Sequence, residues 1–392
     1  MGELAQRLLE AVGPEREYAG IAVSSQYRPA SGDKVFPPSF PLSESEKKRG
    51  VSPYLSEKRW VEGELCDVVV LDQPPSQANR MEMALLEARD AGQIALPLFE
   101  LQAETSWGPL RLTSLEFPHR FADAYLRDSL LEGKPFDSSE VGKRLRSVSA
   151  RDVRPLFERS PESLLFGAWD SHRKGRGVKL ARLYSSSMVG LNPVEGKRKG
   201  GRMDPFNLTG AVRDSTVEDW EFVATGAKLK KKEGEKLSET GHGNIAPGDV
   251  HGGVAITEAR RMGWLSLSGV GQLRFGDASP QAAQLARATL AALALAGDRL
   301  AFGAPSVWLR SGCDLIRGSE VMAFDRDGQQ QEAFTVSAAE AVSCFHELRE
   351  RTAEAGITMA GDTITVTPKK ALAEAIEYAT TRAGADEDAG EE

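Results

Sequence analysis

The sequence has few cysteines, and they are not spaced for a disulfide framework or a zinc site. Cys66, Cys313 and Cys344 are the 3 cysteines among 392 residues, they lie far apart, and no CxxC pair occurs. Disulfide-rich secreted domains and structural zinc sites both need paired cysteines. We therefore expect a cytoplasmic protein that depends on neither.

Histidine and the common catalytic signatures are also scarce. The 5 histidines show no HxH or HExxH spacing, so His172, His242 and His251 could hold a metal only if the fold gathered them. No P-loop, GxSxG or protein-kinase signature occurs. Residues 241–246 match GxGxxA, but a lysine-rich stretch precedes them and Pro247 follows, where a dinucleotide site needs a strand and a helix. We expect no metal and no cofactor.

Long apolar runs are missing as well. The most apolar stretch, residues 285–296, contains Arg287 and is shorter than the roughly 20 residues of a membrane-spanning helix. The N-terminus carries Glu3, Arg7 and Glu10 instead of the apolar segment of a signal peptide. We expect no membrane association.

Charge is abundant but unevenly distributed. The net charge is −8, which by itself disfavours a nucleic-acid ligand. Residues 172–203, however, contain nine Lys or Arg against the single acid Glu195, whereas the tail after Arg382 contains five acids and no Lys or Arg. A polyanion responds to the local patch and not to the total charge. The basic segment therefore indicates either a nucleic-acid contact or a solvated charged loop.

Side chains around this segment suit RNA. Lys and Arg neutralise phosphates, and glycines allow the backbone to approach a strand closely. Trp169 and Tyr184 could stack on bases. Gln26, Arg28 and Lys34 lie in a Pro- and Lys-rich stretch that we expect to be an extended loop, residues 26–53. Ordinary loop chemistry explains those three residues equally well.

The residue patterns predict a mixture of strands and helices. β-branched residues predict a strand at 66–71, and Ser76 is then expected to cap a helix over 77–89. The turn at 76–80 suits a phosphate, although a well-capped helix explains it too. Further helices are expected at 280–300, at 338–355 after the capping box of Ser337 and Glu340, and after Pro368.

The remaining segments follow no βα repeat. Strands are expected at 254–256, 264–267, 272–275, 306–309, 321–324 and 363–366, and an irregular segment at 195–205. If residues 178–188 are helical, Lys179 and Arg182 share a face. Strands and helices mixed in this way predict an α+β fold with inserted loops.

Two segments resemble elements of one protein family. Residues 164–193 (LLFGAWDSHRKGRGVKLARLYSSSMVGLNP) resemble the FGAWDS…K…R…VG segment of the backbone subunit of type I-G (formerly I-U) CRISPR Cascade complexes. Residues 72–82 (DQPPSQANRME) resemble the SQANR-E element of that family, although residues 73–75 are atypical. The resemblance continues over 252–275 and 311–315, and so covers most of the chain apart from the tail.

This family belongs to the Cas seven group of the RAMP superfamily. The resemblance implies an α+β fold with an RRM-like (ferredoxin-like) palm over residues 1–380. Large inserted loops, roughly 90–160 and 190–250, would form fingers and thumb. Residues 381–392 are expected to be an acidic disordered tail.

The resemblance further implies a non-enzymatic protein of antiviral defence. It would bind crRNA, form a helical homo-oligomer along the spacer, and present that RNA to a complementary target DNA strand within a ribonucleoprotein complex. The large subunit and a subunit that processes and caps the crRNA would be partners. A subunit that serves many spacers must hold the sugar–phosphate chain and leave the bases free to pair.

Site residues transfer where the motifs match. The resemblance implies RNA contacts at Ser76, Gln77, Asn79 and Arg80, and at Trp169, Asp170, Ser171, Lys179 and Arg182. The basic residues between and after them extend this set to His172, Lys174, Arg176, Lys197, Arg198 and Lys199.

Two other functions stay open on the sequence alone. Related backbone subunits of type III complexes cleave target RNA with a loop aspartate, for which Asp170 or Asp204 would be the candidate here. A general RNA-binding protein outside CRISPR defence would use the same basic segment.

Overall fold

The computed structural model describes residues 1–170, 178–208, 211–214, 221–223, 234–309, 312–327 and 330–386. The chain divides into two compact units. Unit 1 is Met1–Pro193 with Ile256–Thr381, and unit 2 is Val194–Ala255 with Arg382–Glu392. The predicted insertion at 190–250 falls on nearly the same residues as unit 2, whereas the one at 90–160 lies within unit 1. Helices and strands are both abundant, which confirms the α+β class.

The helices are mostly short, and four of the described ones, α3, α9, α10 and α11, have 17 or more residues. In the described part of the chain they are α1 (Glu3–Ala11), α2 (Glu44–Arg49), α3 (Pro74–Asp90), α4 (Ala124–Arg127), α5 (Glu140–Arg146), α6 (Arg154–Arg159), α7 (Pro161–Phe166), α8 (Leu267–Gln272), α9 (Pro280–Phe302), α10 (Ala338–Glu354) and α11 (Lys370–Asp386). None of them is long and apolar enough to cross a membrane.

The strands of the first half of the chain are β1 (Tyr18–Pro29), β2 (Lys34–Val35), β3 (Ser56–Val61), β4 (Glu64–Asp72), β5 (Leu98–Thr105), β6 (Gly108–Thr113), β7 (Ser129–Leu131), β8 (Lys134–Pro135), β9 (Ala168–Trp169), β10 (Lys179–Leu180) and β11 (Tyr184–Leu191). Those of the second half are β12 (Val194–Arg202), β13 (Val212–Asp214), β14 (Glu221–Val223), β15 (Gly234–Lys236), β16 (Ile245–Ala255), β17 (Ala259–Ser266), β18 (Ser306–Leu309), β19 (Cys313–Arg326), β20 (Gln331–Phe334) and β21 (Thr363–Pro368).

Unit 1 is built on a large sheet of order β18-β19-β1-β17-β11-β4-β3, with β20 added to β19. The pairs along it are antiparallel. On β1, Ile21, Val23 and Tyr27 are buried, whereas Ser24 and Arg28 are exposed. Because side chains alternate between the faces of a strand, one face of the sheet is covered and the other is open. Unit 1 also contains a second sheet, of order β6-β5-β21-β7-β8, and the two-stranded pair of β9 and β10.

Helix α9 is central to the core of unit 1. Ser279 caps it, since its hydroxyl accepts from Ala282 N–H, and Pro280 occupies the first turn. Residues 285–286 and 288–299 are all buried, as is typical of a helix surrounded by other elements. Its start and the capping box of Ser337 and Glu340 on α10 confirm the sequence predictions.

Several local predictions are wrong. Residues 26–29 belong to β1 and not to a loop, and the strand predicted at 272–275 is absent, since Gln272 ends α8 and 273–275 form no strand. The helix considered at 178–188 is absent too, because these residues contain β10 and the first part of β11. The segment predicted to be irregular, 195–205, is mainly strand β12, whose backbone pairs with β16 in unit 2. The exposed positions of these unpredicted strands lack the alternation of apolar and polar residues that predicts a strand. Pairing of their backbones with neighbouring strands, and not a side-chain pattern, therefore accounts for them. Helix α11 continues to Asp386, and the rest of the predicted disordered tail lies outside the described residues.

A buried carboxyl group makes unit 1 sensitive to pH. Glu162 of α7 is 3% exposed, and burial raises its pKa to about 8, against the lowering effect of the Ser160 hydroxyl. An unfolded glutamate titrates near pH ~4.3. Protonated Glu162 therefore stabilises the fold at low pH, and this contribution is lost as the pH rises from about 4.3 through about 8.

We expect Glu162→Gln to remove this pH dependence. The free energy of unfolding of the wild type, measured with denaturant at several pH values, should fall relative to the variant by up to about 1.4 kcal/mol per pH unit between pH 5 and 8. The difference between the two proteins isolates Glu162 from all other titrating groups. Parallel pH profiles would contradict the prediction.

Candidate nucleic-acid interface

The first motif lies at the junction of β4 and α3. The helix begins at Pro74, with Pro74 and Pro75 in its first turn and Gln73 as N-cap. No side chain caps it, so the prediction that Ser76 is the cap is wrong. Proline is favoured in the first helical turn because no intrahelical partner for its missing N–H exists there. Ser76 instead lies half-buried inside the helix.

A groove runs beside this helix. Its volume is ≈ 790 Å³, and Ser76, Asn79 and Arg80 line it together with Trp308 of the edge strand β18. Trp308 is 66% exposed, and Asn79 is exposed as well. The other lining residues are Pro38, Ser39, Leu71, Asp72, Gln73, Pro75, Met83, Ala84, Glu87, Leu300, Ala301, Ser306 and Val307. Three of the four residues predicted from the SQANR element therefore line one groove together with an exposed aromatic side chain.

Arg80 is held at the edge of this groove by two contacts. Its Nε donates to Asp72 Oδ2 at 2.7 Å, and its Nη1 donates to the Trp308 carbonyl oxygen at 3.0 Å. The side chain of Arg80 is partly exposed, whereas Asp72 is buried. These contacts fix the plane of the guanidinium and leave Nη2 without a partner among the described residues. A planar, oriented guanidinium is suited to a phosphate oxygen.

Gln77 has a structural role instead of the predicted RNA contact. It is fully buried, so the prediction that it touches RNA is wrong for this structure. Its Nε2 donates to Asp72 at 2.6 Å, and its Oε1 accepts from Ser186 Oγ and Arg261 Nε, both at 2.9 Å. Gln77 thus joins Asp72, and through it Arg80, to the core.

The core end of this network is a buried ion pair. Arg261 and Asp298 are both completely buried and in direct contact, and Arg299 also contacts Asp298. The Arg261 guanidinium stacks on Phe302 at 3.7 Å from the ring centroid and donates to the Tyr184 hydroxyl. Tyr184 is 2% exposed, which excludes its predicted stacking on bases in this structure.

Burial and the neighbouring charges shift the pKa of Asp298 in opposite directions. Burial raises the pKa of Asp298, but Arg261 and Arg299 outweigh it and hold the pKa at about 2. Burial also raises the pKa of Tyr184, so the hydroxyl stays protonated. At pH values above about 2, the cluster therefore keeps a carboxylate in contact with two guanidinium groups.

The second motif forms a short antiparallel hairpin. Strands β9 and β10 pair Trp169 with Lys179. Trp169 is 60% exposed, and Lys179 Nζ lies 5.4 Å from the centroid of its ring. Arg182 is exposed a few residues further on. An exposed aromatic ring beside a cation is suited to stack on a base while the cation contacts a phosphate.

Residues 171–177, between these two strands in the sequence, lie outside the described residues. Ser171, His172, Lys174 and Arg176 are therefore predictions that the structure does not address. Asp170 is described, and it is 6% exposed, with its backbone N–H donating to the Val178 carbonyl. Burial of Asp170 argues against its use as a catalytic base and against direct contact with a bound strand.

Arg120 joins the two motifs. Its Nε and Nη2 donate to the carboxylate of Glu82 at 2.6 and 2.8 Å, and its Nη1 donates to the Gly167 carbonyl at 2.9 Å. Glu82 lies in the first motif and Gly167 in the second. Burial raises the pKa of Glu82, whereas Arg120 and, more weakly, Arg182 lower it. Sequence reasoning missed Arg120, since no nearby residue pattern marks it as buried.

Gly167 is required at its position in this connection. Its φ of +80° is in the region that favours glycine. A Cβ there would also lie 2.9 Å from the Leu180 carbonyl oxygen. The turn that places Trp169 beside β10 therefore depends on the absence of a side chain.

The other predicted residues lie elsewhere. Arg28 is exposed on the open face of the large sheet, and Gln26 lies on the same face, where its Oε1 accepts from Ser319 Oγ at 3.0 Å. Lys34 is exposed on β2. The structure brings neither these residues nor the second motif into the groove of Arg80.

Unit 2 carries its own basic strand. Lys197, Arg198 and Lys199 are all exposed on β12. Asp204, which follows the strand, accepts from the backbone N–H groups of Leu208 at 2.7 Å and Gly243 at 3.1 Å. These hydrogen bonds, the one from Leu208 first, lower its pKa. Asp204 thus organises a turn, and its weak basicity disfavours a role as general base.

The part of the chain that the structure describes contains no candidate metal site. No group of three His, Cys, Asp or Glu side chains there could hold a metal ion. Cys66, Cys313 and Cys344 are unpaired thiols.

Comparison with known proteins relates part of the chain to a described family. No curated protein matches the chain. Residues 21–194 match the family described as CRISPR-associated protein GSU0053 (Cas_GSU0053). The matched range contains both motifs and the Arg120 that joins them. This match supports the chain as a CRISPR-associated protein.

Proposed function

We propose that this CRISPR-associated protein is the crRNA-binding backbone subunit of a type I-G Cascade complex. In this role it is a cytoplasmic, non-enzymatic member of the Cas seven group of the RAMP superfamily, and the large sheet of unit 1 belongs to an RRM-like palm. Copies of it assemble along the spacer with the large subunit and the crRNA-processing subunit, and the held RNA pairs with target DNA.

The observation that carries this proposal is the exposed pair of Trp169 and Lys179. Exposure of the apolar tryptophan ring to water is unfavourable, so a base that covers the ring is bound favourably, and Lys179 beside it attracts a phosphate. Stacking on an aromatic ring tolerates every base, and phosphate contacts carry no sequence information. Both properties are what a protein needs to hold many different spacers.

RNA recovered with the purified protein tests the proposal. The protein, produced together with a CRISPR array and its partner subunits, should carry RNA of one defined length and form large assemblies. Nuclease treatment should shorten the RNA no further than the protected spacer. An assembly that carries no RNA and binds none at moderate ionic strength would refute the proposal. Bound cellular RNA of random sequence would favour a general RNA-binding protein.

RNA cleavage is the alternative that needs its own assay. The assembled complex is incubated with RNA complementary to the spacer, with and without Mg²⁺. We expect no cutting, because Asp170 is buried and Asp204 is engaged with backbone N–H groups. Cutting that disappears with Asp170→Ala or Asp204→Ala would make the protein an endonuclease.

Arg80→Ala is expected to weaken RNA binding about tenfold, which corresponds to about 1.4 kcal/mol for one charge-assisted phosphate contact. The log–log slope of affinity against salt should become shallower by roughly one. Fluorescence anisotropy with labelled RNAs of unrelated sequence measures both. Lys58→Ala on β3, an exposed cation outside the groove, is the control. Equal losses in both variants would remove Arg80 from the interface.

A further inference from the structure

A second cavity of unit 1 lies at the opposite end of helix α9 from the groove. Its volume is ≈ 680 Å³, and it is lined by residues after α1, by α8 and the residues that follow it, and by the first turns of α9. The groove of Arg80 contains Leu300, near the other end of α9. At about 1.5 Å per residue, the two ends lie about 30 Å apart. The cavity is therefore separate from the groove.

The charge of this cavity has one sign. Arg16, Arg274 and Arg287 line it, and no Asp or Glu is among its lining residues. The remaining polar groups are neutral side chains that can donate or accept hydrogen bonds: Ser268, Gln272, Gln281 and Gln284. A concave surface that holds cations and no carboxylate concentrates positive potential.

Neutral partners hold the three arginines in place. Arg287 Nη2 donates to the Leu273 carbonyl at 2.7 Å, and Arg274 Nη1 donates to the Gly271 carbonyl at 3.1 Å. Arg16 Nη1 donates to the Tyr18 carbonyl at 3.2 Å and to Ser268 Oγ at 3.3 Å. None of the three has an ion pair with a carboxylate in the described part of the chain. They are thus oriented but not neutralised.

Other arginines of unit 1 form ion pairs with carboxylates. Arg154, Arg260 and Arg326 each contact two carboxylates. Arg274 and Arg287 line the same cavity and donate to the neighbouring carbonyl groups of Gly271 and Leu273. Burial and, second, the charge of Arg274 lower the pKa of Arg287. Like charges gathered in a cavity without acids are stabilised by a bound anion.

We propose that this cavity binds the phosphate group of a nucleotide-sized ligand. Guanidinium groups make paired hydrogen bonds to phosphate oxygens, and three of them suit a doubly charged group better than a carboxylate. The volume falls within the range of small-molecule sites, and the glutamine amides can hydrogen-bond the rest of a nucleotide. The phosphate belongs either to a free nucleotide or to a nucleic-acid strand. This site is independent of the function proposed above.

Calorimetric titration of the purified full chain tests the site. Inorganic pyrophosphate should bind in a 1:1 ratio to the wild type. The double variant Arg16→Ala/Arg274→Ala should bind it at least tenfold more weakly, since two of the three guanidinium groups are gone. Both side chains are exposed, so the fold should be retained, which thermal unfolding checks. Lys58→Ala, an exposed cation on β3, is the matched control and should bind like the wild type.

Two further probes identify the source of the phosphate. ADP that binds more tightly than pyrophosphate, with no competition from a ten-nucleotide single-stranded DNA, would assign the site to free nucleotides. Competition by that DNA, abolished in the double variant, would assign it to a strand. Absence of pyrophosphate binding to the wild type, or equal affinity in the double variant, would overturn the proposal. RNA binding is measured on the double variant as well. The crRNA proposal rests on other residues, so either proposal can fail while the other holds.

Discussion

Replacement of Asp298 by asparagine should lower the free energy of unfolding by about 3–5 kcal/mol, as is typical when one partner of a buried ion pair is removed. The substitution keeps the shape of the side chain and removes its charge. Arg261, completely buried, and Arg299, 4% exposed, would then lose their shared carboxylate. Denaturant unfolding monitored by tryptophan fluorescence measures the loss.

A matched control separates burial from charge. Asp277 also pairs with an arginine, Arg154, but its side chain is 89% exposed. Asp277→Asn should change the free energy of unfolding by less than about 1 kcal/mol, because water solvates the Asp277 carboxylate and Arg154 keeps its ion pair with Asp152. Arg261→Met added to Asp298→Asn should recover part of the loss, since it removes one unpaired charge. Similar losses in Asp298→Asn and Asp277→Asn would show that the buried pair contributes nothing special.

Asp298 makes the free energy of unfolding depend on pH with a sign opposite to that of Glu162. The folded-state pKa of Asp298 is about 2, below the value near ~3.9 of an unfolded aspartate. Its contribution is therefore complete above pH ~3.9 and is lost as the pH falls toward 2. Wild-type protein should lose more stability than Asp298→Asn in this acid window.

Local signals predicted the elements that local residues determine. Ser337 and Glu340 form the reciprocal capping box, and Ser279-Pro280 begins α9, because each signal acts within one helical turn. The β-branched run at 66–71 lies within β4 for a similar reason. The α+β class followed from these elements together.

Burial of the polar residues could not be predicted in this way. Arg261 lies 37 residues from Asp298, and Arg120 lies 38 residues from Glu82, so neither pair has a local pattern. Their arginines are indistinguishable in sequence from exposed ones. Gln77 was assigned to the interface for the same reason, since its burial depends on contacts with Ser186 and Arg261 that only the fold creates.

The candidate site was predicted in part. Trp169 and Lys179 were both expected at an interface, but the hairpin that pairs them was not, because the residues at 178–188 are also compatible with a helix. Trp308 of the groove was missed altogether. An aromatic residue on a short strand usually signals a core position, and only the edge position of β18 exposes it.

Reversal of both charges in Lys179→Glu/Arg182→Glu should weaken RNA binding at least about a hundredfold. Two charge-assisted phosphate contacts of about 1.5 kcal/mol each account for that factor, and repulsion by the new carboxylates adds to it. The salt dependence should become shallower by roughly two in log–log slope, one for each phosphate that is no longer neutralised. Anisotropy titrations with several unrelated spacer sequences over a range of salt concentrations measure both quantities.

Matched variants show where the loss arises. Lys47→Glu/Lys58→Glu changes the net charge equally at exposed cations of α2 and β3, and should have a small effect that salt suppresses. Trp169→Ala keeps the cations but removes the ring that Lys179 approaches at 5.4 Å, and should weaken binding with an unchanged salt slope, because stacking releases no counterions. Backbone recognition requires the charge-reversed protein to lose affinity for every spacer alike. A loss confined to particular spacers would mean that this hairpin reads bases, and a protein that reads bases could not hold the spacers of a whole array.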